Sequence, residues 1–173
     1  IPSNTHSTLC ISSQVGCTLN CKFCHTGVQP LVKNLSSNEI INQIMVAKDE
    51  LDDWGEQKKI NNIVYMGMGE PFYNYENIKQ SVQILKDENG LNFTNKKITI
   101  STSGISPNIK KAGDEIGTYL ALSLHASNDE IRNSIMPINK KYNIQDIINH
   151  CNEYAKKNNE KIFIEYVLLK DVN

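Results

Sequence analysis

Short apolar runs alternate with stripes at helical spacing along almost the whole chain. The strand-like runs are Thr8 to Val15, Ile60 to Met66, Lys97 to Ser101, Tyr119 to Leu124 and Ile162 to Leu169. Between them, Ile40, Ile41, Ile44, Met45, Ala47 and Lys48 predict a helix from Asn38 to Asp52, with Ser36 and Glu39 as a capping box. Ile78, Val82 and Leu85 predict a second helix from Glu76 to Glu88, stopped by Gly90. Ser106 and Pro107 read as the cap and first position of a third, ending near Glu115. A short helix is expected from Asp129, and Ile144, Ile147, Ile148, Cys151 and Tyr154 mark a longer one to Lys157. The alternation predicts five βα-type units around a largely parallel, unclosed sheet.

Ligands in parallel α/β folds collect at the C-terminal ends of strands. Four such ends carry chemistry-bearing residues: a cysteine loop after the first strand, Gly67 to Pro71, Ser101 to Gly104, and Ser123 to Ala126. The site is expected to be composite.

Length and composition restrict the picture without sharpening it. The 173 residues suffice for one domain with a real core, 39% are hydrophobic and the net charge is −1. No global basic footprint is present, although a local patch would serve an RNA partner. Arg132 is the single arginine, and the Asn, Ile and Lys abundance reads as compositional bias. No apolar run reaches membrane-spanning length and no signal peptide is visible, so a cytoplasmic, monomeric protein without membrane contact is expected. The chain opens without Met and stops after a strand-like run, and is read as a piece of a longer protein.

Cys17, Cys21 and Cys24, spaced C-x3-C-x2-C, are the strongest chemical signal. A four-iron cluster takes four ligands, and three cysteines leave one iron open to a small molecule. The alternative is a zinc site with His25 as fourth ligand, although three cysteines within eight residues differ from the usual two separated pairs. Glu70, in Gly67-Met68-Gly69-Glu70-Pro71, offers a carboxylate to an ammonium group, or merely a solvated turn. Ser101-Thr102-Ser103-Gly104 precedes a helix and suits a polar or anionic group, or simply caps it. Ser123 and His125 end a strand and aim a hydroxyl and an imidazole at the rim. Cys10 reads as a buried small hydrophobe whose face alternation leaves open, and Cys151 as core. Phe23, Phe72 and Tyr73 lie near enough to the rim to stack on a base, though aromatics beside turns usually pack.

The strings CISSQVGCTLNCKFC, VYMGMGEPFYN, ITISTSG, ALSLHA and MPINKKYN, in that order, resemble the RlmN/Cfr family of radical S-adenosylmethionine (SAM) RNA methyltransferases over essentially the whole chain. The resemblance implies part of a radical SAM (βα)6-type barrel, with about five parallel strands and open. It implies that Cys17, Cys21 and Cys24 ligate a 4Fe–4S cluster whose open iron is chelated by SAM. Gly69 and Glu70 match the contact to the SAM amino group, and Ser101, Ser123, Leu124 and His125 match the SAM pocket. Cys10 matches a cysteine with a chemical role, against its bland reading. The implied reaction methylates carbon 2 of adenosine in 23S rRNA and tRNAs through a methyl-cysteine and a 5′-deoxyadenosyl radical. It uses two SAM molecules and a reducing electron-donor protein, and Cys10 forms a transient disulfide with the methyl-bearing cysteine. No residue matches that methyl-bearing cysteine, so residues 1–173 are expected to be a catalytic core lacking an N-terminal accessory region and the C-terminal part, inactive alone. The competing expectations are a related enzyme acting on carbon 8, and a zinc-stabilised RNA-binding module.

Overall fold

The computed structural model describes residues 7–173. The elements run β1 (Ser7–Cys10), β2 (Gln14–Val15), β3 (Lys33–Asn34), α1 (Ser37–Leu51), β4 (Ile60–Tyr65), α2 (Tyr75–Lys86), β5 (Ile98–Thr102), α3 (Ser106–Glu115), β6 (Tyr119–Ser123), α4 (Asp129–Ile135), α5 (Ile144–Asn158) and β7 (Ile162–Glu165). The strands β1, β4, β5, β6 and β7 pair in that order, all parallel, and the sheet does not close.

One face of the sheet lies under helices. Ile63, Ile98, Ile100, Leu120 and Leu122 point there and are buried against Ile40 and Ile44 of α1, Ile78, Val82 and Leu85 of α2, Ile109 of α3, and Ile147, Cys151 and Tyr154 of α5. Each of these helices presents a single apolar stripe, which is why it lies flat on the sheet. Period-2 alternation sends Val64, Ser101, Ala121, Ser123 and Glu165 to the opposite face. Cys10 pairs in register with Val64 and is exposed on that open face, so it is not the buried hydrophobe of the bland reading. Cys151 is core, and burial pushes its thiol up to about 12.

Several expected boundaries move, each for a local reason. The first run breaks after Cys10: Ile11 bonds across to Val64 and Gly67, then the Ser13 and Gln14 N–H groups both donate to the Met68 carbonyl (2.9 and 3.1 Å). That bend frees Gln14 and Val15 to pair antiparallel with Asn34 and Lys33, a ribbon absent from the sequence reading. The α1 capping box forms as expected, with Glu39 N–H donating to Ser36 Oγ (3.3 Å) and Ser36 N–H to Glu39 Oε2 (3.0 Å). Gly90 does not terminate α2; Asp87 does, and Gly90 sits in the following turn. Ser106 is a helical residue rather than the cap of α3, and its hydroxyl is the one buried side-chain polar atom without a partner among the described residues. Ile105 holds the cap position without a side-chain bond, and Thr102 Oγ1 accepts from Gly104 N–H (3.1 Å) and Ile105 N–H (3.5 Å) in the turn before the helix.

Candidate functional site

The cysteine loop is held by backbone contacts within itself and to its neighbours. The β2–β3 ribbon clamps its base, and Cys17 N–H donates to the Gln29 carbonyl (3.2 Å). Cys24 N–H donates to Cys21 O (3.1 Å) and Gly27 N–H to Cys24 O (2.9 Å), coiling the segment tightly. Gly16 is obligatory at its entry: φ is +80° and an added Cβ would lie 2.0 Å from the Pro30 carbonyl oxygen. Lys22 N–H donates to the Ile135 carbonyl (2.9 Å), anchoring the loop on the end of α4.

Cys17, Cys21 and Cys24 are free thiols lining one cavity of about 120 Å³, with Gly67, Gly69, Ser103, Ser123, His125 and Met136 among its other walls. Cys17 and Cys21 are buried and Cys24 is exposed. Burial raises Cys21 most, with the Cys17 and Cys24 charges adding, up to about 12, while the Arg132 cation pulls the other way. Burial also raises Cys17. An all-thiol donor set with no carboxylate on the cavity wall suits soft iron–sulfur ligation. His25 is exposed and off that wall, so it does not join the three thiols there as the zinc alternative expects. The three thiols fit the ligand set of a cluster.

A second cavity of about 220 Å³ adjoins the first and shares Gly67, Gly69, Ser103 and Ser123 with it. Its remaining walls include Tyr65, Met66, Glu70, Ser101, Thr102 and Glu165. Glu70 is only 2% exposed. Its Oε1 accepts from Thr102 Oγ1 (2.8 Å) and Phe72 N–H (3.1 Å), and its Oε2 from Ser103 N–H (2.8 Å). Burial raises its carboxyl and these donors pull against it, with burial winning. A cation beside Glu70 would relieve that penalty. Gly69 holds φ at +97°, placing the carboxylate below the rim. The solvated-turn reading of Glu70 is thereby removed. So is the anion site at Ser101 to Gly104, because the Thr102 hydroxyl and Ser103 N–H already serve Glu70.

His125 adopts φ +57° and is buried. Its Nδ1 accepts from Val167 N–H (3.1 Å), which puts the proton of the neutral ring on Nε2. Burial lowers its pKa, so the ring is neutral at pH 7. Phe23 packs edge-on against it, the ring centroids 4.7 Å apart. Phe72 is core and Tyr73 is 38% exposed. Leu124 lies off both cavities; its side chain packs on the core, and its backbone is held by Glu165 O and Arg132 Nε (3.1 and 2.9 Å). Ser101 and Ser123 reach each other across adjacent strands (3.4 Å).

Two residues escaped the sequence reading. Arg132 is fully buried and donates to Leu124 O, Ser103 O, Ser123 O and Asn139 Oδ1 (2.7–3.0 Å), tying the ends of β5 and β6 together. Its only advance signal was being the single arginine. Glu165 joins Ser101 and Ser123; a lone charge within an apolar run was the signal there. Volume does not locate this site: a larger cavity of about 620 Å³, between Tyr119, Phe163 and the end of α5, carries no comparable chemistry.

Comparison with known proteins agrees with the geometry. The family model described as "Radical SAM superfamily" matches residues 11–173. Dual-specificity RNA methyltransferases RlmN from Bradyrhizobium sp. (strain ORS 278) and Rhodopseudomonas palustris (strain BisA53) are 52% and 50% identical across 100% of this chain, which covers 45% and 46% of theirs. The chain thus spans about half the length of the curated relatives it matches. A crystal structure of a radical SAM methyltransferase from Sphaerobacter thermophilus superposes with a TM-score of 0.94 at 41% identity, over 100% of this chain and 50% of that one. Streptococcus suis SuiB, solved bound to S-adenosylmethionine, shares the fold at a TM-score of 0.67 and 17% identity, over 95% of this chain and 34% of its own. The open five-stranded sheet is a partial radical SAM fold, and the cofactors implied by that fold are a 4Fe–4S cluster and SAM. The chain belongs to the radical SAM superfamily, and within it resembles the dual-specificity RNA methyltransferases.

Proposed function

We propose that this chain is most of the catalytic core of a radical SAM methyltransferase acting on carbon 2 of adenosine in 23S rRNA and in tRNAs. The observation that carries the reading is one continuous cleft, with three free thiols on one side and the buried Glu70 carboxylate on the other, in a chain half identical to enzymes of that name.

Cys17, Cys21 and Cys24 hold the cluster, and binding it releases their protons. When bound, the cluster supplies the electron that starts SAM-dependent radical chemistry. Gly69 and Glu70 receive the SAM ammonium group, whose charge offsets the buried carboxylate. Ser101, Ser123 and His125 line the rest of the SAM pocket, and His125 Nε2–H is a fixed donor. Cys10 stands on the open face, where partial desolvation by its neighbours raises its thiol, so it carries its proton at neutral pH. There its sulfur would attack the sulfur of a methyl-bearing cysteine outside residues 1–173, forming a disulfide as the S–C bond to the adenine-bound carbon breaks; the electron pair leaves with that carbon, which takes up a proton. The N-terminal accessory region is likewise outside, and RNA, a protein electron donor and a second SAM complete the reaction. We place the protein in the cytoplasm as a monomer; no helix among the described residues is long and apolar enough to cross a membrane.

Anaerobic reconstitution with iron and sulfide tests this. A brown chromophore is expected whose reduced-state EPR signal changes on adding SAM. Cys21→Ala abolishes it and Cys151→Ala keeps it. Stoichiometric zinc without sulfide, or loss in both variants, overturns the assignment. Mass analysis of adenosine from RNA treated with the whole protein should give the 2-methyl product; the 8-methyl isomer would sink the regiochemistry.

A further inference from the structure

Glu165 ends β7 directly across from Ser123, on the open face of the sheet. Its Oε2 lies 2.8 Å from Ser123 Oγ and 3.0 Å from Ser101 Oγ. Each hydroxyl has one proton to give, and the bonds to the carboxylate are shorter than the 3.4 Å serine–serine contact and are charge-assisted. Both protons therefore point at Oε2. The serine lone pairs then face outward, and no donor among the described residues reaches Glu165 Oε1. Among the described residues no Lys or Arg pairs with this carboxylate. The backbone is equally fixed, since Glu165 O accepts from Leu124 N–H (3.1 Å).

The result is a wall that only accepts hydrogen bonds, built from Ser101 Oγ, Ser123 Oγ and Glu165 Oε1, in the cavity that also contains Glu70. Such a wall repels phosphate and carboxylate and takes neighbouring O–H donors. A vicinal diol presents two of them, and an acidic side chain beside a strand end is a general solution for ribose hydroxyls.

We propose that Glu165 is a cofactor-binding residue: it turns Ser101 and Ser123 into acceptors and, with its own free oxygen, takes the ribose hydroxyls of the adenosyl group. This rests on the SAM reading of the same cavity.

The test is calorimetric binding to the whole, cluster-loaded protein, with S-adenosylhomocysteine and its 2′-deoxy and 3′-deoxy forms as probes. The wild-type protein should bind at least one deoxy form about tenfold more weakly than the parent. Glu165→Gln should weaken the parent about tenfold yet change binding of that deoxy form less than twofold, because the two losses share one contact. Equal weakening of parent and deoxy ligands in the variant overturns the proposal and leaves Glu165 a structural carboxylate. A wild-type protein that ignores the missing hydroxyls also overturns it, and needs no variant to fold. Failure of the wild-type protein to bind the parent at all would instead strike down the SAM reading itself.

Discussion

Arg132→Lys isolates what the buried arginine does, because it keeps the cation and removes only the planar fork. Burial lowers the guanidinium to about 10, which leaves Arg132 charged at pH 7. In the native chain Nε reaches Leu124 O (2.9 Å), Nη1 reaches Asn139 Oδ1 (2.7 Å), and Nη2 reaches Ser103 O and Ser123 O (2.7 and 3.0 Å). These four acceptors surround the guanidinium on several sides. A lysine ammonium is a single point and meets at most two of them. Two acceptors are then orphaned, three of the four being backbone carbonyls that no second mutation removes. At about 1–3 kcal/mol for each orphaned group, partly relieved by water at the half-buried ones, the loss is about 3 kcal/mol. With a urea slope of about 2 kcal/mol/M for a chain of this size, the unfolding midpoint should fall by about 1.5 M. Far-UV circular dichroism during a urea titration measures it. A fall smaller than about 0.4 M would refute the idea that the fork, rather than the charge, fastens the two strand ends.

Asp53→Asn should lower stability by about 3 kcal/mol at pH 7, because it strands the buried Lys48 ammonium that Asp53 Oδ2 holds at 3.1 Å. Burial pushes the Asp53 carboxyl up, but the Lys59 and Ile60 N–H groups and Lys48 outweigh it and hold the pKa below its ordinary value. The stabilisation is therefore present above the ordinary value and fades as the pH drops through the lower folded-state one, so the urea midpoints of the two proteins should converge in acid. A gap that stays constant through the acid limb of the titration would contradict this. Gly16→Ala drives a methyl group into the Pro30 carbonyl at positive φ, and should destabilise the chain by about 2 kcal/mol or more while cutting iron uptake on reconstitution. Wild-type iron content in that variant would mean that the loop entry tolerates distortion.

The sheet and the helices were legible because each helix carries one apolar stripe and each strand is short and bounded by turn residues. The convergence of four strand ends was legible for the same reason, since parallel topology alone places them on one rim. What escaped depends on partners distant in sequence. The two-residue ribbon of β2 and β3 is too short to show a period, and it exists because the Met68 carbonyl bends the chain at Ser13 and Gln14. Glu165 lay inside an apolar run predicted as strand to Leu169, and its meaning appears only once Ser101 and Ser123 stand beside it. Ser106 looked like a helix cap by residue type, but it already lies inside the helix, and Ile105 holds the cap position with no side-chain bond.

His125 carries its imidazole on a left-handed backbone, a conformation costing a non-glycine residue about 1 kcal/mol. Gly or Asn would accept the same backbone with less penalty, but either would strand the Val167 N–H that Nδ1 accepts and leave Phe23 without its edge-on partner. The ring's own contacts therefore hold the strained backbone in place, and a screen for heat resistance should find no gain at this position. A campaign to harden this scaffold should leave His125 fixed and start at positions such as Gly55, where an added methyl meets nothing within 4 Å.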